Sequence, residues 1–290
     1  MTDDGAVPTA PTAPIAPRGF RIQYASDLHM EFVKARDTYL PKVLVPAVPP
    51  AQVLILAGDI GHDADGSLAG VLQYASSHWS EVVYVMGNHE FYKADGRPRR
   101  TCEEVEAAVA AVVASFPNVH LLCHSSPEWL WPGSPTPVVF IGSTLWAHVK
   151  PSSPAAYGMN DFRYACITPA SMSSMWERDK KAIGARLAHW RSVRELSEGE
   201  DSSGLKIVVV THHMPSLSLI APKFLGSRLS DAFASPCDFL LEGVAAWVYG
   251  HTHDANQLML GDCLCAVNAI GYPREATGFR PTAVLTLDTV

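Results

Sequence analysis

Five short polar clusters, each directly after an apolar run, constrain this chain more than any other feature. SDLH at 26–29 follows FRIQYA, AGDI at 57–60 follows QVLIL, and GNHE at 87–90 follows EVVYVM. THH at 211–213 follows LKIVVV, and GHTH at 250–253 follows AAWVY. Short apolar runs closed by turn residues read as buried strands. In α/β sheets the ends of such strands are where ligands sit. Taken singly, SDLH, AGDI, GNHE and THH read as an ordinary turn, cap or strand end with a satisfied histidine, and GHTH is the most suggestive of a metal; five in order after five strands call for a common cause.

The rest of the chain supports a layered α/β organisation. Between the runs, helical patterns are expected over 66–78 and over 101–116, where Thr101 and Glu104 form a capping box and Pro117 stops the helix. Strands are expected at 119–122 and 138–142, and a long Pro/Ser/Gly-rich loop at 150–166. A helix capped by Thr168 and Pro169 runs toward Leu196 and ends in the polar loop SEGEDSSG. The last third adds the apolar runs CLCAVNAI and TAVLTL, with a short helix near 231–242. Residues 1–19, built from Pro, Ala and Thr, read as a flexible tail, and 20–290 as the folded domain.

Composition narrows the function classes. The 290 residues are 48% hydrophobic, enough for a large core. The net charge of -7, with no block of like charges, argues against a nucleic-acid or anionic-membrane surface as the main partner. Six scattered cysteines without a C-x-x-C pair suit reduced structural thiols. With neither a signal-peptide core nor a membrane-length apolar run, a soluble cytoplasmic protein is expected. Nothing in the sequence speaks to oligomeric state.

The side chains offered by the clusters are Asp27, His29, Asp59, Asn88, His89, His212 or His213, His251 and His253. Imidazole and carboxylate without thiolate is a ligand set for Mn, Fe, Zn, Ni or a similar divalent ion. Asp27 and His29 are two apart and share a face of an extended segment, whereas His251 and His253, in a turn, can diverge to different ions. Periodicity leaves His212 and His213 tied, because a strand buried on both faces carries no polar alternation.

The ordered pattern D-x-H, G-D, G-N-H-E, H, G-H-x-H resembles the calcineurin-like metallophosphoesterase superfamily across roughly residues 20–288. The resemblance implies a four-layer α/β/β/α sandwich, two mixed sheets flanked by helices, with two metal ions at the carboxyl ends of the strands. It implies Asp27, His29 and His253 as ligands of one ion, Asp59 as a bridge, and Asn88, His212 and His251 as ligands of the other. By the same resemblance His89 lies beside the metals and assists catalysis, and His212 rather than His213 is the ligand. His213, Glu90 and Arg163 of MNDFR remain candidates for contacts to substrate or to the ligands themselves. His62 is the first exception to expect among the other histidines.

This set suits phosphate ester hydrolysis. Two divalent cations about 3.5–4 Å apart lower the pKa of a shared water and neutralise phosphoryl charge. A histidine beside them, held charged by Asp27 or another carboxylate, returns a proton to the departing alcohol. The expected activity is hydrolysis of a small phosphodiester or phosphomonoester by a metal-bridging hydroxide. The alternatives are a nuclease or protein phosphatase of the same superfamily, or a catalytically weak metal-binding scaffold.

Overall fold

The computed structural model describes residues 19–94, 96–133, 136–197 and 204–289. Except for Gly19, the expected tail lies outside the described residues, as does 198–203 of the SEGEDSSG loop. Among the described residues, eleven strands form two mixed sheets. The first contains β1 (Phe20–Ala25), β2 (Val53–Ala57), β3 (Glu81–Val85) and β4 (Val119–Leu121), all parallel. The second contains β5 (Trp129–Trp131), β6 (Val138–Gly142), β7 (Lys206–Val210), β8 (Ala246–Tyr249), β9 (Ala255–Leu260) and β10 (Cys263–Asn268). Its four inner strands β6, β7, β8 and β10 are parallel, and β5 and β9 are antiparallel edges. β11 (Val284–Leu287) closes the first sheet against β1, antiparallel.

The strand residues divide with period two between two apolar environments. Val53, Ile55, Val83, Val85, Phe140, Val208, Val210 and Val248 meet in the core between the sheets. Leu54, Leu56, Val82, Tyr84, Val139, Ile141, Ile207 and Val209 face outward and are covered by helices. Each fully buried side chain of this size contributes about 1.5–3 kcal/mol. Both faces being covered explains why these strands read as unbroken apolar runs.

α1 (Arg36–Val43), α2 (Ser67–His78) and α3 (Cys102–Val113) lie with the first sheet, α2 and α3 presenting Leu68, Val71, Leu72, Val105 and Val109 to it. The capping box at Thr101 and Glu104 is formed on both sides, at 2.8 and 3.2 Å. After the one-turn helices α4 (Ala155–Gly158) and α5 (Asp161–Tyr164), the long α6 (Pro169–Ser197) covers the second sheet with Met172, Ile183 and Leu187. The architecture is the four-layer α/β/β/α sandwich. No helix among the described residues is long and apolar enough to cross a membrane.

Local departures from the expected elements have local causes. The 150–166 loop carries α4 and α5, so the segment is folded rather than extended. The helix expected near 231–242 is replaced by two 3-10 turns, Ser230–Ala232 and Asp238–Leu240. Pro236 interrupts it, and the backbone there pairs with Met214 instead: Ser235 N–H donates to the Met214 carbonyl at 3.1 Å. β9 escapes a hydrophobicity reading because this edge strand buries little; it is held by a hairpin to β10 in which Leu260 pairs with Cys263.

Candidate metal centre

The parallel strands of both sheets end at one shared edge. β1 and β10 approach there through a bridge between Ser26 and Ala269, and Gly271 N–H donates to the Asp27 carbonyl at 3.1 Å. The loops after β1, β2, β3, β7 and β8 thus bring all five clusters together. Two glycines make the approach possible: a Cβ on Gly58 (φ +84°) would strike the His212 ring, and one on Gly87 would strike the Asp59 carboxylate.

Backbone strain concentrates at the same place. Of the seven non-glycine residues with positive φ among the described residues, five are Asp27, His29, Asp59, His251 and His253, at φ 53°, 45°, 55°, 66° and 44°. Such conformations cost on the order of 1–3 kcal/mol each and persist where the surroundings over-determine them. Asp27 and His29 consequently meet through a tight turn, not through the shared face of an extended segment.

Two sets of acceptor atoms converge at this edge. In one, His212 Nδ1 must carry its proton, because it donates to the Ala57 carbonyl at 2.9 Å. Its Nε2 then faces Asn88 Oδ1 at 2.9 Å and Asp59 Oδ1 at 3.4 Å, and the His251 ring lies 5.0 Å away with Nε2 buried and unpartnered. In the other, His29 Nδ1 points to Glu31 at 3.0 Å and His253 Nδ1 to Glu275 at 2.6 Å. Both donations leave the two Nε2 lone pairs opposed at 3.1 Å, with Asp27 Oδ1 3.5 Å from that of His253. Lone pairs and carboxylate oxygens facing one another repel unless positive charge lies among them, so these residues fit divalent cations.

Asp59 links the two sets, with Oδ1 toward His212 and Oδ2 3.7 Å from His29 Nε2. Donor atoms within 4.8 Å of one another define the groups Asp27–His29–His253, Asp59–His212–His251 and His29–Glu31–His89. Burial raises the Asp59 pKa, but His212 and His89 outweigh it and hold the carboxyl well below its usual range. Burial opposes a charge on His212 too, yet Asp59 pushes its pKa up to about 10. The two shifts are the two sides of one attraction, between the Asp59 carboxylate and the His212 ring.

The remaining candidates separate. His89 is anchored on three sides: its N–H donates to Asp59 Oδ1 at 2.8 Å, Nδ1 meets Glu31 at 3.1 Å, and Nε2 meets the Tyr272 hydroxyl at 3.0 Å. Tyr92 stacks on its ring at 4.2 Å. The carboxylate holding His89 is therefore Glu31, not Asp27, whose oxygens accept the His251 N–H at 3.1 Å. Burial raises the Glu31 pKa, but hydrogen bonds from His29 and His89 prevail and lower it to about 2.

Glu90 does not orient His89. It is fully buried and accepts from the backbone of Gly87 at 2.8 Å, Ile60 at 2.9 Å and Asp59 at 3.1 Å, and from the Tyr84 hydroxyl at 2.9 Å. Burial and then the Asp59 charge raise its pKa to about 7. It ties the β2 and β3 loops together beneath the site. His213 is buried between Trp146, 5.6 Å away, and His251, 4.2 Å away, outside the cavity lining. Burial, reinforced by His212, lowers its pKa to about 3.

A cavity of about 290 Å³ opens over these groups, lined by Asp59, Asn88, His89, His251, His253 and Tyr272 among others. Of MNDFR, Met159 and Asn160 reach it; Asp161 is buried and accepts from the Tyr92 hydroxyl at 3.3 Å. Arg163 is exposed and outside that lining, its carbonyl bonded to Arg99. His62 is buried with an unpartnered Nε2 and lines a neighbouring cleft together with Glu31 and His89. Glu31, Tyr92, Tyr272 and Glu275 are site residues that the sequence reading missed. Their only signal is proximity to the clusters: Glu31 two residues past His29, Tyr92 three past His89, and Tyr272 in a Gly-Tyr-Pro turn after β10.

A family model described as calcineurin-like phosphoesterase matches residues 20–255. The chain belongs to that family, and the class it defines is a hydrolase acting on phosphate esters. Among relatives, the protein named "Uncharacterized protein L509" from Acanthamoeba polyphaga mimivirus is 26% identical over 281 residues, covering 92% of this chain and 96% of its own. Among solved structures, the phosphopantetheinyl hydrolase of Mycobacterium tuberculosis superposes with a TM-score of 0.62 at 18% identity, over 89% of this chain and 91% of that one.

Proposed function

We propose that the chain hydrolyses small phosphate esters with two divalent cations, one held by Asp27, His29 and His253, the other by Asn88, His212 and His251, with Asp59 shared. The observation that carries this reading is the convergence of ring nitrogens and carboxylate oxygens on two adjacent points joined by one carboxylate. When bound, the two cations lower the pKa of water and neutralise charge on the phosphoryl oxygens.

The chain's own residues supply the rest. Glu31 occupies Nδ1 of His89, so Nε2, now against Tyr272, is the atom that can reach substrate. As the phosphorus–oxygen bond to the alcohol breaks and the oxygen of water replaces it, His89 Nε2 delivers a proton to the departing alkoxide. Tyr272 and Tyr92 hold the ring when no ester is present. Burial, ahead of nearby carboxylates, raises both phenol pKa values, so the hydroxyls stay protonated as hydrogen-bonding groups.

Chelation followed by reconstitution tests the reading. Stripped protein should lose hydrolysis of a nitrophenyl phosphodiester or monoester and regain it with Mn, Fe, Ni or Zn, while single-stranded DNA stays intact. Phosphopantetheine esters, the substrate class in the name of the mycobacterial hydrolase, belong in the panel. Protein that takes up far less than two equivalents of any of these metals would return the scaffold reading.

The ligand division has its own test. His212→Ala should empty one metal position, because Nε2 is the ring atom aimed at Asn88 and Asp59. His213→Ala should leave metal content unchanged, and its cost should appear as a lower melting temperature from a cavity beside Trp146. The reverse pattern of metal loss would reassign the ligand.

A further inference from the structure

Beside the candidate metal centre lies a smaller cavity, of about 130 Å³, that the proposed chemistry leaves unused. Its wall is mainly apolar, from Met214, Ile220, Phe224, Leu229 and Phe233, and none of the described residues that line it is charged. Phe224, Leu229, Phe233 and Thr252 line both this cavity and the one above the metal ligands, so the two adjoin along a common wall. The Phe233 ring stands 4.4 Å from the His251 ring, and Thr252 sits between His251 and His253. Outside, the same segment exposes Leu217, Phe224 and Leu225.

An apolar void is costly to leave empty, because its lining atoms forgo contacts and water gains no hydrogen bonds there. A sugar or nucleobase would bury hydroxyls or amides without sufficient partners. A short aliphatic arm pays neither penalty. We propose that this cavity is a subsite for an apolar arm of the ester, so that the substrate is an amphiphile: phosphate over the metal ligands and a short hydrocarbon segment beside Phe233. The proposal rests on the phosphoesterase reading for its phosphate and on the pocket wall for its arm. At roughly 30 Å³ per water-sized group, the void takes about four such groups, which sets where the benefit of a longer arm should stop.

The test uses the full chain loaded with Mn and three probes, methyl, butyl and hexyl phosphate, measured by calorimetry and as competitors of a nitrophenyl ester. Each methylene buried in the pocket should tighten binding by about fourfold, and the hexyl ester should bind at least about tenfold more tightly than the methyl ester after ordering costs. Ser230 also lines the void; Ser230→Trp, which fills it, should bring the hexyl-to-methyl ratio toward unity, and Leu229→Ala, a milder change, should reduce it several-fold. A flat series in the natural protein, no detectable binding of the hexyl ester, or a ratio untouched by both variants overturns the subsite. Graded binding without hydrolysis of any ester under any metal keeps the subsite and removes the phosphoesterase reading, whereas hydrolysis with a flat series does the opposite.

Discussion

Asp59→Asn is expected to lower kcat/KM toward any ester by about 10³-fold or more, with a matching loss of metal from the purified protein. The side chain is nearly isosteric, so the hydrogen bond from the His89 N–H at 2.8 Å can survive. The missing negative charge cannot be replaced, because among the described residues Asp59 is the one carboxylate that faces both His212, at 3.4 Å, and His29, at 3.7 Å. Bound cations stabilise the transition state by several kcal/mol, and each 1.36 kcal/mol is tenfold in rate. A peripheral change such as His253→Ala should cost less, since His253 is partly exposed and belongs to the Asp27–His29–His253 cluster alone. Melting in metal-free buffer separates misfolding from lost chemistry. Full metal content together with a rate within tenfold of the natural enzyme would contradict the bridging role.

His89→Ala should act on the other half of the reaction. Metal content stays, while hydrolysis of esters with poorly leaving alcohols falls by about 10²–10⁴, the usual range for general acid catalysis. Esters of nitrophenol, whose anion leaves without a proton, should lose far less. Glu31→Gln should give a smaller loss with the same dependence on leaving group, because an amide oxygen can still accept from His89 Nδ1 but brings no charge to it. Equal losses for good and poor leaving groups would remove proton delivery as the role of this histidine.

The order of strands and polar clusters was legible because each strand is buried on both faces and must end in a turn. The apolar runs ending at Ala57, Val85 and Val210 mark those ends unambiguously. Helices α2, α3 and α6 were legible from caps and stops, which are local interactions. β9 was not, because its stability resides in backbone pairing with β10 and its side chains are mostly exposed. The helix expected near 231–242 gave way to a tertiary contact, the pairing with Met214, that no local pattern encodes.

The choice between His212 and His213 shows where each source of information stops. Val208 and Val210 face the core between the sheets, while Ile207 and Val209 face the helices. Continued past the strand, that alternation carries His212 to the seam where the sheets meet and His213 to the outer side with Trp146. The two residues differ in environment only because a second sheet exists, and no property of VVVTHHMP contains that sheet.

The sequence by itself determined the donor types, their order and the family, because ligand chemistry and strand ends are written in short contiguous segments. Only the tertiary structure decided which partner each donor faces: Glu31 against His89, Glu275 against His253, Glu90 beneath the backbone, Arg163 outside the cavity, and an apolar wall beside His251. These pairings join residues as far apart as Glu31 and His89 or Tyr272 and His89, and they follow from how the loops of two sheets pack against each other. Hydrogen bonds and cavities depend on distance in space, which a linear pattern does not carry.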